Sequence, residues 1–210
     1  LLVNLGSPDS PSIPDVRRYL NEFLMDGRVI DVPWPLRRLI VAAILINRPR
    51  QSAHAYQSIW TSEGSPLIVT SRRVQAALQQ RVRVPVELAM RYQNPAIGSA
   101  LRRLAGRGIG ELLLIPLFPH YAMSSYETAV VRVQELAAKL APRLRITVQE
   151  PYGAAPDYIA ALVGSAAEFV KVHEQKPIRN PQSAIRIWEM GNSGHLLFSF
   201  HGVPERQIRK

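Results

Sequence analysis

Cysteine is absent from the 210-residue sequence. Disulfides, zinc–thiolate sites and cysteine-ligated iron–sulfur clusters are therefore excluded within these residues, and the absence suits a reducing cytoplasm. Long hydrophobic runs are also lacking, because the longest lipid-like stretch extends only from Leu39 to Ile46. A spanning helix needs about 18 or more apolar residues, so no segment is predicted to cross a membrane.

Acidic residues are few, with 16 Asp and Glu against 26 Lys and Arg, and the formal net charge is +10. This balance favours anionic partners. The basic residues are mostly arginines in scattered pairs, such as Arg17–Arg18 and Arg72–Arg73, without a nucleic-acid-binding motif. We therefore expect no nucleic acid as a partner, whereas a small dicarboxylate or an anionic membrane surface fits the charge.

A dinucleotide fingerprint is also missing, because the turn that begins at Gly6 reads GSPDSP. That turn lacks the G-x-G-x-x-G spacing with which helix N-termini approach a pyrophosphate, so no nicotinamide site is expected. With 47% hydrophobic and 20% charged residues, the composition is that of a globular protein with a core.

Strands and helices alternate along the chain. Apolar runs ended by Gly or Pro predict strands, and three-and-four spacing of apolar residues predicts helices. The predicted strands are Leu1–Leu5, Val86–Met90, Glu111–Pro116, Ile146–Glu150 and Leu196–Phe200. The predicted helices begin at Pro14, Leu36, Thr70, Pro95, Glu127 and Tyr158. This alternation predicts an α/β fold of parallel sheets flanked by helices.

The segment Pro151-Tyr152-Gly153 marks a change in character and predicts a domain boundary. Residues 1–150 would form a first α/β domain, and residues 151–210 would begin a second one. A long polar loop from Glu174 to Gly194 precedes the last strand. That strand therefore belongs to the second domain.

His201 directly follows the last apolar strand. Open α/β sheets bind ligands at the carboxyl ends of their strands, and an imidazole there can accept a proton or bind a metal near neutral pH. The alternative interpretation is a structural histidine that caps a turn. His120 and Tyr126 follow the strand Glu111–Pro116 in the same way.

Five segments in order resemble the ferrochelatases, the enzymes that insert ferrous iron into a porphyrin. They are LVNLGSP from Leu2, Tyr56 followed by GSPL from Gly64, MRY from Met90, PLFPHY from Pro116, and LLFSFHGVPER from Leu196. The resemblance covers the chain from end to end. It implies two Rossmann-like, chelatase-type α/β domains, of which the second is incomplete in this chain.

The resemblance also implies roles for particular residues. His201 would be the catalytic base and the metal contact. Arg48 would pair with one propionate of the porphyrin, Tyr56 would lie against the macrocycle, and Ser65 would hydrogen-bond the second propionate. Tyr126 would be a further substrate-binding residue.

His120 leaves two interpretations open. It could be a second metal ligand, or it could donate a hydrogen bond that shapes the floor of the pocket.

After the proline-broken run Asp31–Pro35, the segment from Leu36 to Ile46 is almost entirely apolar apart from Arg37 and Arg38. It could form a buried helix or a hydrophobic lip beside a ligand cleft, and the resemblance favours the lip. Trp34 and the two arginines suit a membrane interface. We expect a cytoplasmic protein with peripheral contact to the inner face of an anionic membrane.

Porphyrin and ferrous iron are expected as substrates, and no bound cofactor is expected. The porphyrin could be protoporphyrin IX or coproporphyrin III. Two alternative functions remain open: a non-catalytic, two-lobed binding protein for an anionic small molecule, and a cobalt or nickel chelatase of related fold. The sequence indicates no oligomeric state.

In the family, a glutamate from a later segment of the second domain works opposite the histidine. This sequence ends nine residues after His201, at Lys210. We therefore expect the chain to be a fragment of a longer protein.

Overall fold

The computed structural model describes residues 1–173, and the side chains of residues 1–168. The strands are β1 (Leu2–Gly6), β2 (Leu88–Tyr92), β3 (Glu111–Pro116) and β4 (Arg145–Val148). The helices are α1 (Ile13–Leu24), α2 (Trp34–Ile59), α3 (Pro66–Arg81), α4 (Ile97–Gly106), α5 (Thr128–Leu140) and α6 (Pro156–His173). A π-helical turn, Met123–Glu127, leads into α5.

The four strands form one parallel sheet in the order β2–β1–β3–β4. Val3 of β1 lies opposite Ala89 of β2 and Pro116 of β3. Helices connect successive strands, because parallel neighbours require long crossover connections. The predicted α/β class with a parallel sheet flanked by helices is confirmed, and the predicted strand Leu196–Phe200 lies outside the described residues.

Apolar side chains cover both faces of the sheet, because successive residues of a strand point to opposite faces. Val3 and Leu114 belong to a core cluster with α4 and α5, to which Leu101 and Val133 contribute. Leu2, Leu88 and Met90 form a second cluster against α3. This two-sided burial explains why the strands read as nearly continuous apolar runs.

Helix α2 is longer than the sequence predicts: its 26 residues continue through Pro49, well beyond Ile46. A proline inside a helix removes one backbone hydrogen bond and so disfavours continuation of the helix. Its buried residues, however, recur every fourth position across the proline, at Val41, Leu45, Pro49 and Ala53. Packing of this stripe offsets the lost hydrogen bond.

No helix among residues 1–173 combines the length and the apolar character that crossing a membrane requires.

Arg37 stabilises the connection between α1 and α2. Its guanidinium donates to three main-chain carbonyls, those of Met25 at 3.1 Å, Ile30 at 2.9 Å and Val32 at 2.7 Å. Each guanidinium nitrogen of Arg37 thus donates one hydrogen bond within the protein, and the expectation that Arg37 and Arg38 suit a membrane interface stays a prediction. Gly27 lies so close that an added Cβ would be 2.8 Å from the Arg37 guanidinium.

Backbone contacts divide the chain into two units. The first contains residues Leu1–Pro151, and α6 belongs to the second. Within the second unit, the rings of Tyr152 and Tyr158 pack edge to face at 5.5 Å between centroids. The predicted boundary after residue 150 stays a prediction, because most of the expected second domain lies outside the described residues.

Gly6 ends β1 with a φ of +114°. Residues that carry a side chain rarely adopt this backbone conformation, because the Cβ atom makes it strained. A Cβ at this position would lie 2.1 Å from the Tyr92 carbonyl oxygen of the neighbouring strand. We expect Gly6→Ala to lower the free energy of unfolding by about 3 kcal/mol, because both the backbone conformation and the strand separation must change. Denaturant unfolding of the two proteins measures this difference.

Gly110→Ala provides the matched control, because no atom lies within 4 Å of a Cβ added there and its φ is not in the left-handed region. We expect that variant to be at least as stable as the parent. Equal stability of the two variants would contradict the steric argument.

Candidate functional site

A buried carboxylate joins three segments at the carboxyl end of the sheet. The Asp26 side chain, 4% exposed, follows α1 directly. Its Oδ2 atom accepts hydrogen bonds from the Arg91 guanidinium at 2.5 Å, from the Tyr92 hydroxyl at 2.9 Å and from the Thr128 hydroxyl. Its Oδ1 atom accepts from the backbone N–H of Arg28 at 2.8 Å. Both carboxylate oxygens are thus engaged.

The partners of Asp26 also contact one another. Arg91 Nε donates to the Thr128 hydroxyl at 2.7 Å, so the hydroxyl accepts from the arginine and donates to the carboxylate. Arg91 and Tyr92 end β2, whereas Thr128 begins α5. A strand end, a helix start and the loop after α1 are therefore held by one polar network.

Burial by itself would raise the pKa of Asp26. The hydrogen bonds from the Thr128 hydroxyl and the Arg28 backbone, together with the charge of Arg91, hold this pKa below its ordinary value instead. Burial raises the pKa of the Tyr92 hydroxyl, which keeps that group protonated and able to donate. The network consequently contains an ionised carboxylate surrounded by donors.

A second carboxylate extends this network. Glu127, next to Thr128, accepts from Arg28 Nε at 3.0 Å and from the Tyr121 hydroxyl. Burial and the adjacent Glu127 raise the pKa of Tyr121 to about 12. The loop that follows β3 is thereby tied to the loop that follows α1.

An aromatic cluster connects this network to the predicted substrate residue Tyr56. The Tyr92 ring packs edge to face against Phe23 at 5.3 Å and against Tyr19 at 6.3 Å. Tyr56 in turn packs edge to face against Tyr19 and Trp60, each at 6.3 Å. Burial raises the pKa of its hydroxyl. The half-buried ring is held by other rings, and its contact with a macrocycle stays a prediction.

Ser65 lies in a cleft at the carboxyl end of the sheet, which we call the Ser65 cleft. The cleft has a volume of about 300 Å³ and is lined by Pro8, Asp9, Trp60, Glu63, Gly64, Ser65, Ile68, Arg72, Asn94 and Pro95. Ser65 precedes α3 as its N-cap residue and is only 7% exposed, yet its side chain does not cap the helix. Within residues 1–168 its hydroxyl has no hydrogen-bond partner, so it can bind a ligand.

The other predicted substrate residues lie apart from this cleft. Arg48 is exposed on α2, eight residues before Tyr56 and therefore about 12 Å from it along the helix axis. Tyr126 is 5% exposed and donates its hydroxyl to the Gln149 carbonyl at 2.7 Å. Trp60 joins Tyr56 to the Ser65 cleft, whereas Tyr126 lies with Tyr121 beyond β3.

The metal-binding predictions rest on two histidines. His120 is exposed at the end of the loop after β3, and His201 lies outside the described residues. Within residues 1–173, no three histidine or acidic side chains come together as a metal site. The metal contact and the catalytic role of His201 both stay predictions.

Sequence reasoning missed Asp26 and Thr128. Neither residue belongs to a local motif that would single it out, and the two are 102 positions apart in the chain although they form a hydrogen bond. The only available signal was the position of Arg91 at a strand end, within a segment that resembles the family. A buried arginine there requires an acidic partner, but the sequence does not indicate which of the 16 acidic residues supplies it.

We expect Asp26→Asn to lower the free energy of unfolding by about 3 kcal/mol at neutral pH, because Arg91 would remain buried without a counter-charge. The native pKa of Asp26 is depressed, so its contribution is fully present above the unfolded-state pKa of about 4. The contribution is lost as the pH falls through the lower native pKa. The stability difference between parent and variant should therefore narrow below about pH 4, as measured by denaturant unfolding.

Asp31→Asn is the control for this experiment. Asp31 is exposed and has no ion-pair partner within the described side chains. We expect it to change stability by less than about 0.5 kcal/mol. If the difference in the free energy of unfolding between the parent and Asp26→Asn did not change with pH, the depressed pKa of Asp26 would be contradicted.

Comparison with known proteins gives a consistent result. The profile of the ferrochelatase family matches residues 1–210. The chain is 49% identical to a ferrochelatase of Pseudomonas putida (strain W619), a match that covers the whole chain and 57% of that protein. It is 50% identical to the ferrochelatases of Azotobacter vinelandii, over 57% of that protein, and of Opitutus terrae, over 56%.

The chain therefore spans a little over half the length of these curated relatives. Its parallel sheet, its Ser65 cleft and the five ordered segments all lie within the matched residues. On this basis the chain belongs to the ferrochelatase family.

Proposed function

We propose that the protein containing this chain inserts ferrous iron into a porphyrin to form haem. The observation that carries the proposal is the match of the ferrochelatase family to every residue of the chain. The Ser65 cleft supports it, because ligands of parallel α/β sheets bind at the carboxyl ends of the strands. Fold alone would not suffice, since α/β domains carry many activities.

Porphyrin binding requires contacts to a flat apolar ring and to its carboxylates. The Ser65 hydroxyl is available for a carboxylate, and the exposed Arg48 guanidinium has no partner within residues 1–168. Trp60 provides an aromatic wall of the cleft, and Tyr56 packs behind it. In this proposal iron and porphyrin are both substrates, and no resident cofactor is needed.

Metal insertion also requires a base that removes the pyrrole protons. We assign this role to His201, which follows the predicted strand Leu196–Phe200. An imidazole suits the task because its ordinary pKa of about 6.5 allows it to accept a proton near neutral pH. In the first domain, the Asp26 network joins the elements at the carboxyl end of the sheet through hydrogen bonds from Arg91 and Thr128.

Peripheral binding to the inner face of the cytoplasmic membrane is part of the proposal. Helix α2 exposes a large apolar surface, with Trp34 at 64%, Leu39 at 69% and Ile46 at 67% exposure. A cleft between α1 and α2 brings Arg17 and Arg38 beside it, and no acidic residue lines that cleft. Apolar side chains flanked by arginines favour an anionic bilayer surface.

The activity is tested on the full-length protein with ferrous iron and protoporphyrin or coproporphyrin. We expect His201→Ala to lower the turnover number by about a hundredfold or more, because a positioned general base contributes about that much. Porphyrin binding, measured by fluorescence quenching, should persist in the variant. Near-parental turnover of the variant would contradict the role of His201, and absence of insertion by the parent would contradict the function.

Membrane binding is tested by sedimentation with vesicles of neutral or partly anionic phospholipid. We expect Leu39→Ser combined with Ile46→Ser to weaken binding to anionic vesicles by about tenfold or more, because two exposed apolar side chains are removed. The control is Val84→Ser, which changes a residue that is 65% exposed in the loop before β2. Equal loss in both variants, or no binding by the parent, would contradict the assigned surface.

A further inference from the structure

The Ser65 cleft contains a cation that the mechanism above does not use. Arg72 lies on α3 seven residues after Ser65, and Ile68 lies between them at helical spacing. All three residues line the cleft, so they share one face of the helix start. Trp60 contributes the aromatic wall.

The two carboxylates of the cleft already have partners. Asp9 accepts from the Asn94 amide at 3.0 Å and lies 3.7 Å from the Arg18 guanidinium. Glu63 pairs with Arg73 at 2.7 Å. Arg72, by contrast, has neither a hydrogen bond nor an ion pair within residues 1–168. Arg72 is thus an exposed cation at the wall of the cleft that has no ion-pair partner within these residues.

Two further features of the cleft favour an anion. The Ser65 hydroxyl has no hydrogen-bond partner within the same residues, and Ser65 as a whole is only 7% exposed. It lies at the N-terminus of α3, a helix of 16 residues whose first turn receives no side-chain cap. The partial positive charge of a helix N-terminus attracts anions. A cation, a hydroxyl donor and a helix N-terminus thus line the same cleft.

We propose that Arg72 binds a carboxylate of the porphyrin in the Ser65 cleft, together with the Ser65 hydroxyl. The guanidinium forms two parallel N–H···O bonds with one carboxylate, a geometry that lysine cannot reproduce. Arg72 is then a specificity-determining residue that selects porphyrins with free carboxylates. The inference rests on the proposed function, because it names the part of that substrate that the cleft recognises.

The test compares a porphyrin dicarboxylic acid with its dimethyl ester, both titrated into the full-length protein and followed by fluorescence quenching. We expect the parent to bind the acid more tightly than the ester. Arg72→Gln should weaken binding of the acid by about tenfold and leave binding of the ester unchanged, because only the acid offers a charged partner. Arg72→Lys should restore only part of the loss.

Arg73→Gln is the matched control. It changes the adjacent arginine, which forms an ion pair with Glu63 and has no assigned contact with the porphyrin. It should bind both porphyrins like the parent. Equal effects of Arg72→Gln and Arg73→Gln, or equal losses for acid and ester, would overturn the inference. A protein that discriminates acid from ester through Arg72 but inserts no iron would uphold this inference and contradict the proposed function.

Discussion

The buried carboxylate of Asp26 is the interaction on which the carboxyl end of the sheet depends. It neutralises Arg91, which is itself only 13% exposed, and it accepts hydrogen bonds from Tyr92 and Thr128. Removing one member of such a group leaves a buried charge or donor without a partner, which costs far more than a surface ion pair. The loop after α1, the end of β2 and the start of α5 are consequently positioned together.

Polar groups at this end of the sheet fall into two classes. Those around Asp26 and Glu127 are bound to one another, so they stabilise the protein and are not free for a ligand. Ser65 and Arg72 lack partners within the described side chains, although they lie in a cleft with an aromatic wall. Groups without partners in the protein are available to a ligand, so this difference favours the cleft as the place of binding.

The predicted substrate residues illustrate the same distinction. Sequence resemblance treats Tyr56, Ser65 and Tyr126 alike, because it assigns roles by position in a motif. In the structure, the Tyr126 hydroxyl is bound to the Gln149 carbonyl and the Tyr56 ring is packed between Tyr19 and Trp60. Of the three, only Ser65 has a hydroxyl without a partner within residues 1–168 and lines the Ser65 cleft. The three environments differ through contacts that no local pattern encodes.

The sequence by itself determined the α/β class, the four strands of the described sheet and the membership of the family, because apolar periodicity and ordered motifs are local properties of the chain. It did not determine that α2 continues through Pro49, because that depends on packing against α1. Nor could the sequence alone predict that Thr128 hydrogen-bonds Asp26, or that Arg72 has no partner within the described side chains. Those outcomes depend on which distant segments the fold brings together, and only the tertiary structure decides that.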